Sequence, residues 1–214
     1  AMVGKAIKIK YGAKFILSVQ DIFPQNAIDL GILKNGFMLK FFEKMEKKVY
    51  DIADKITVHS EGNREFLLKV KQVSAGKLHV LHNWVDLTSY EDARKTNIFR
   101  EKYGLKDKLV FLFAGVIGPS QGLDLIIKAA NEIKETSDIC FLFVGDGTWK
   151  DKLIKMRDIY ELKNVIFKPF VSKEEYPNLV KEVDVGIVCL SSKNKTPVVP
   201  GKILGYMAAS IPIV

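Results

Sequence analysis

Residues 109–147 read LVFLFAGVIGPSQGLDLIIKAANEIKETSDICFLFVGDG. An unbroken apolar run (109–114) enters a loop bounded by Gly115 and Gly122. Apolar residues then recur at helical spacing, which predicts a helix over 123–136. A second apolar run, 139–144, ends in Gly145-Asp146-Gly147. Apolar strands joined through amphipathic helices indicate a parallel sheet covered on both faces.

The pattern extends outward in both directions. Downstream, a helix to about Tyr160, a strand at 165–168, a helix opened by Glu174 and Glu175 and running to Lys181, and a strand at 183–190 follow. The loop 191–199 then leads into a helix over 200–209, and Pro212-Ile213-Val214 begins another strand. Upstream, strands are predicted at 14–19, 55–59 and 78–81. A helix is predicted over 36–52, and another, N-capped by Ser60, runs to about Lys71. The polar stretch 87–96, with a short helix near 98–103, reads as a connection between two domains. The expected organisation is residues 1–86, a linker with a short helix at 87–107, and residues 108–214.

Composition narrows the function classes. Among 214 residues, 48% are hydrophobic, enough to bury a core, and no apolar run approaches the ~18–20 residues of a membrane span. Cys140 and Cys189 lie in apolar runs and read as buried small hydrophobes. With three histidines and no Cys/His spacing pattern, no metal site is expected. The net charge of +8 suggests an anionic partner: nucleic acid, an anionic membrane surface or a phosphorylated substrate. The charge is nearly all lysine and spread along the chain, so nucleic acid is the weakest of these and none is expected.

In open parallel sheets, ligands bind at the carboxyl ends of the strands, where strand order reverses. The loop 115–122 sits at such an end. Its glycines let backbone N–H groups approach a phosphate, though a plain strand–helix turn explains it as well. Gly145-Asp146-Gly147 equally suits a tight turn. The segment PGKILGYMAA (200–209) says more. Pro200 suits a first helical position, leaving the N–H groups of Gly201, Lys202 and Ile203 to form a diphosphate cradle with the Lys202 ammonium. An ordinary surface lysine on a core-packed helix is the competing reading. The helix at 36–52 also has two readings. Its Phe41/Met45/Val49 stripe packs into a core, or Lys40, Lys44, Lys47 and Lys48 face anionic lipid.

Six stretches in order and spacing carry a resemblance over nearly the whole chain. They are DIFPQNAIDLGIL (21–33), HNWVD (82–86), FAGVIGPSQGLD (113–124), FVGDG (143–147), DVGIV (184–188) and TPVVPGKILGYMAASIPIV (196–214). The chain resembles family 4 (group 1) glycosyltransferases of GT-B fold. Its nearest likeness is the subgroup that adds amino- or deoxy-sugars to lipid-linked acceptors in surface polysaccharide synthesis.

The resemblance implies an α/β, GT-B-like protein with two Rossmann-type domains, both incomplete here, so that the chain reads as a fragment. Residues up to about Asp86 would be the latter half of an acceptor domain. Residues from about Lys108 would be the first two-thirds of a nucleotide-sugar domain. The implied activity is retaining transfer from a nucleotide-diphospho-sugar, with UDP as the implied nucleotide and no cofactor or metal required. The alternatives are a sugar-nucleotide epimerase of similar fold, or a catalytically inactive module that binds only a nucleotide or a partner chain completing the fold. A cytoplasmic enzyme at the inner face of the plasma membrane is the implied setting.

Such catalysis is mainly electrostatic stabilisation of the leaving diphosphate. Lys202 is the implied catalytic residue. Gly118, Gln121, Gly145, Asp146, Gly147, Pro200, Gly201, Ile203 and Gly205 are implied on the donor side, and Asp21 on the acceptor side. The chain departs from the family pattern at several positions. Val116 and Gln121 stand where an Arg and a Lys are common, Gln20 where a histidine is, and Pro197 and Gly205 where glutamates are. Gly205 lacks the carboxylate that grips the ribose, and weakens its helix by about 1 kcal/mol against alanine. Weak UDP binding is therefore expected, tightened by Gly205→Glu.

Overall fold

The computed structural model describes residues 2–34 and 36–214. They form two compact units. The first comprises residues up to Asn83 with Lys193–Val199; the second comprises Trp84–Ser192 with Pro200–Val214.

In the first unit, α1 (Met2–Tyr11) precedes β1 (Ile16–Val19), α2 (Gln25–Asp29), α3 (Phe37–Ile52), β2 (Lys55–Val58), α4 (Glu61–Lys69) and β3 (Leu78–Val80). The strands form a parallel sheet in the order β1-β2-β3. Each parallel step needs a crossover, and α3 and α4 supply them. The α4 start is set locally, as the sequence predicts: Ser60 Oγ accepts from the Asn63 N–H at 3.1 Å. Ile56, Val58, Leu67 and Leu78 form the core.

Helix α3 departs from its core reading. It buries Leu39 and Tyr50, whereas Phe41 is 52% and Met45 37% exposed. Helices α1 and α2 have no counterpart in the sequence reading. The former shows no apolar stripe facing a core, since Val3, Ile7, Ile9 and Tyr11 are all exposed. The latter is too short to show a period.

The second unit continues with α5 (Thr88–Asp92), α6 (Ile98–Tyr103), β4 (Leu109–Ala114), α7 (Asp124–Glu132), β5 (Ile139–Val144), α8 (Lys150–Ile159), β6 (Val165–Lys168), α9 (Tyr176–Lys181), β7 (Val185–Gly186) and α10 (Lys202–Ala208). Its sheet is parallel with the order β6-β5-β4-β7. Alternate β4 and β5 side chains face opposite layers. Leu112, Ala114, Leu142 and Val144 meet Leu179, Val180 and Tyr206, while Phe113, Phe141 and Phe143 meet Ile127 and Leu153.

The predicted strand 183–190 is regular only at Val185–Gly186, but its pairing goes on. Ile187 N–H donates to Leu112 O at 2.7 Å and Val188 N–H to Val214 O at 2.7 Å. Ile213 bridges Gly186 in parallel, as the strand beginning at 212–214 anticipates.

Residues 87–107 do not form a polar linker beside their short helix. Tyr90, Ala93, Phe99, Tyr103 and Leu105 are buried in the second unit. The buried Glu182 explains the order of this segment. Its carboxylate accepts from the Phe99 and Arg100 N–H groups at 2.8 and 3.1 Å and from Thr96 Oγ1 at 2.8 Å, capping α6. Arg100 returns to Glu182 O and to Asp184, both at 2.7 Å.

Candidate functional site

From β4 the chain moves outward to β5 and β6, then returns to the other side of β4 as β7. That reversal places a crevice at the carboxyl ends of β4 and β7. The loop after β4 carries Gln121 and the helix after β7 opens with Lys202, and the structure brings them together: Lys202 Nζ donates to Gln121 Oε1 at 2.9 Å. The ammonium also lies 4.6 Å from the centroid of the Phe113 ring. Burial lowers the Lys202 pKa, opposed in part by Cys189. Its partners are thus a neutral amide and an aromatic face, and no ion pair to Lys202 occurs among the described residues.

Lys202 lines a cavity of about 430 Å³ together with Ala114, Gly115, Val144, Phe170, Val171, Ser172, Lys173 and Tyr176. That volume, a mostly apolar wall and the two lysines suit a small organic ligand with an anionic part. Phe170, Val171 and Tyr176 are site residues that the sequence reading misses. The only signal available is that the first two follow β6, hence lie beyond a strand's carboxyl end.

The helix start differs from the cradle expected at 200–203. Helix α10 begins at Lys202, with Gly201 as the cap and Pro200 outside it, so Pro200 is not the first helical residue. Ile203 N–H donates to Pro200 O at 3.2 Å and is spent within the turn. This leaves the N–H groups of Gly201 and Lys202 as those the turn does not use. Tyr206 seats the helix: its hydroxyl donates to Leu112 O at 3.0 Å and accepts from Ala114 N–H at 3.3 Å. Gly186 makes the room, because a Cβ there would lie 2.4 Å from the Tyr206 ring.

The glycines of the other loops answer to packing. Gly118 is buried and caps the 3₁₀ turn Pro119–Gln121. The loop after β4 and the loop after β5 are bonded to each other, through Ile117 N–H to Asp146 O at 2.8 Å and Trp149 N–H to Ile117 O at 3.1 Å. A Cβ on Gly145 would fall 1.9 Å from Gly115 O, and one on Gly147 2.4 Å from Ile117 O. Asp146 is exposed and turned to its own loop. It accepts from Gly147 N–H at 2.7 Å and pairs with Lys150 at 3.4 Å, and both hold its carboxyl below the usual range.

Gly205 lies beneath two tyrosine side chains. It is buried, and a Cβ on it would lie 2.8 Å from Tyr90 Oη and 3.1 Å from Tyr176 Cε1. A glutamate there would have to displace both tyrosine side chains. We expect Gly205→Glu to destabilise the second unit by roughly 1–3 kcal/mol through overpacking and not to tighten UDP binding. A thermal melt and a UDP titration of the variant check this, and tighter binding at unchanged stability would contradict it.

Asp21, in the first unit, is exposed in the turn after β1. Two strand ends there are joined by histidines: His59 Nε2 lies 3.0 Å from Gln20 O, and His82 Nδ1 2.7 Å from His59 O. Among the described residues no cluster of three or more His, Cys, Asp or Glu could hold a metal ion.

The family described as Glycosyl transferases group 1 matches residues 95–214. The chain belongs to the group 1 glycosyltransferases. WcaI of Escherichia coli K12, named as a colanic acid biosynthesis glycosyl transferase, is 26% identical over 203 residues, covering 92% of this chain and 49% of the relative. A Campylobacter jejuni N-acetylgalactosaminyltransferase, named for an N-acetylgalactosamine-N,N'-diacetylbacillosaminyl-diphospho-undecaprenol substrate, is 28% identical over 124 residues, covering 58% of this chain and 32% of its own. This group 1 glycosyltransferase chain spans about half the length, or less, of the curated relatives it matches. Anabaena HepE, solved with UDP and glucose, superposes with a TM-score of 0.79 at 15% identity, over 99% of this chain and 55% of HepE. WaaG, a glycosyltransferase involved in lipopolysaccharide biosynthesis, gives 0.74 at 14% identity, over 99% and 61%. The fold of this group 1 glycosyltransferase is thereby GT-B.

Proposed function

We propose that the second unit binds a UDP-linked sugar at the carboxyl ends of β4 and β7. The protein would transfer that sugar, with retained configuration, to a glycan or lipid-linked acceptor. The observation carrying this reading is Lys202, a half-buried ammonium at the wall of an apolar cavity whose partners among the described residues are Gln121 and the Phe113 ring. The cavity takes the uracil face. The diphosphate meets Lys202 and the N–H groups of Gly201 and Lys202. As the sugar–phosphate bond breaks, negative charge grows on the diphosphate, and a fixed cation in a poorly solvated site stabilises that charge more than it stabilises the bound substrate.

HepE crystallised with UDP-glucose and with UDP supports the nucleotide, and the name of the Campylobacter relative supports a lipid-linked acceptor. The first unit, with Asp21 after β1, would serve the acceptor side. The work would take place in the cytoplasm, at the inner face of the plasma membrane. One observation favours a second reading: Tyr90 and Tyr176 close over Gly205, leaving no carboxylate there for the ribose. A module that binds a nucleotide or a partner without turning over fits that feature. Incubation with UDP-sugars and an undecaprenyl-linked acceptor, followed by NMR of the product's anomeric proton, separates the readings. Retained configuration is expected. An inverted product would overturn the proposal, and UDP binding without product would favour the second reading.

A further inference from the structure

A buried phenol usually finds a hydrogen-bond partner. Tyr206 does so: it is fully buried, and its hydroxyl both donates to Leu112 O and accepts from Ala114 N–H. Two other tyrosines of the second unit depart from this. Tyr90, in α5, is only 6% exposed, and Tyr176, which opens α9, is half-buried. Neither hydroxyl makes a hydrogen bond among the described residues. Neither oxygen is sealed off, since each keeps some accessible surface. A phenol buried without a partner forfeits its bonds to water.

Both hydroxyls converge on one place. Tyr90 Oη and Tyr176 Oη lie 2.8 and 3.3 Å from the point where a Cβ on Gly205 would stand. Gly205 is in α10, three residues after Lys202 and so about one turn along the same face. The backbone there is ordinary helix, and glycine weakens a helix relative to alanine, so conformation does not call for it. What its missing side chain leaves is space beside the two hydroxyls. Tyr176 also lines the cavity it shares with Lys202. Burial raises the pKa of both phenols, and Tyr206 and Tyr90 add to the rise at Tyr176. Each therefore keeps its proton and can donate as well as accept.

We propose that Tyr90 and Tyr176 read the ribose diol of the bound nucleotide, Tyr176 from the cavity wall and Tyr90 beside it. The inference deepens the UDP reading and rests on it. A sugar diol is uncharged and presents two adjacent groups that both donate and accept, which two neutral phenols match. The order of groups along the ligand picks the ring. Lys202 takes the diphosphate, the apolar wall takes uracil, and ribose is the group that joins them. Tyr176 stands in both places, as a wall residue and as half of the hydroxyl pair. A site built to bond a ligand hydroxyl discriminates against the analogue that lacks it, because its own polar groups are then left unpaired.

The test is calorimetric titration of the 214-residue chain with UDP and with dideoxy-UDP, which lacks both ribose hydroxyls. The parent is expected to prefer UDP by about tenfold. Tyr90→Phe with Tyr176→Phe should weaken UDP by the same factor and leave dideoxy-UDP unchanged, so that the preference disappears. Tyr176→Phe alone should remove part of it. Both variants should melt as the parent does, because phenylalanine keeps the rings and no existing hydrogen bond is lost. The ratio of the two affinities within one variant does not depend on how stable that variant is. A preference that survives in the double variant would overturn the inference, as would a parent that does not distinguish the two ligands. Normal UDP binding with weakened UDP-glucose binding in the double variant would assign the hydroxyls to the transferred sugar and overturn it too. Each of these results leaves the UDP site standing. A parent that binds neither ligand would instead remove the UDP reading, and this inference with it.

Discussion

Gly145→Ala is expected to cost more than about 4 kcal/mol, a large share of the roughly 5–15 kcal/mol that stabilises an ordinary domain. The added Cβ would stand 1.9 Å from Gly115 O, and the residue holds φ +153°, where alanine is strained. Neither side can yield cheaply. Gly145 N–H is bonded to Lys168 O at 3.0 Å and Gly115 N–H to Val144 O at 3.0 Å, so relief means breaking the ends of β4, β5 and β6 together. Gly201→Ala is the contrasting substitution. Its φ is −60° and nothing lies within 4 Å of where the new methyl group would stand, so its effect should stay within about 0.5 kcal/mol. Thermal melts of both variants check the pair, and similar losses in the two would contradict the loop packing described.

Lys202→Met is expected to weaken UDP binding by about 10–100-fold, the equivalent of one charge-assisted hydrogen bond of roughly 1.5–3 kcal/mol. The melting temperature should hold or rise. Among the described residues the half-buried ammonium has Gln121 and the Phe113 ring to offset its desolvation, and methionine keeps the stem's packing. The pH dependence follows from the direction of the shift. Burial lowers the Lys202 pKa, so UDP binding should fall with rising pH before an ordinary lysine would lose its proton. Stability of the unliganded fold moves the other way. A lysine whose folded pKa lies below its unfolded value makes the fold gain stability as pH rises between the two. Lys202→Met should flatten both limbs, as titration calorimetry and melts across alkaline pH would show.

What is legible in the sequence follows from the range of the forces involved. Periodicity is local, so the strands and helices of 109–147 can be read directly. The identity of β4's second neighbour cannot, because β7 reaches it from residues 185–186. A polar composition makes 87–107 resemble a linker, yet its order comes from a carboxylate some 83 positions away at Glu182. Gly145 and Gly147 read as turn glycines, whereas their need arises from the loop at 115–117. The stripe on α3 is visible in the sequence; whether anything covers it is a tertiary fact. At the site, Lys202 stands out because charge beside Pro-Gly at a helix start is unusual. Gln121 lies in a stretch that resembles the family, but its pairing with Lys202, 81 positions away, is not local, and the wall formed by Phe170, Val171 and Tyr176 carries no motif. Gly205 reads as a lost contact, whereas the two tyrosines packed over it carry no local signal.

The central claim is that Lys202 and the apolar cavity beside it form a UDP site. Isothermal titration of UDP into the chain, with Lys202→Met in parallel, tests it most directly. Saturable binding is expected, with a dissociation constant between micromolar and millimolar, weakened at least tenfold in the variant, about 1.4 kcal/mol. Binding of equal strength in the two proteins, or none at millimolar UDP, would contradict it.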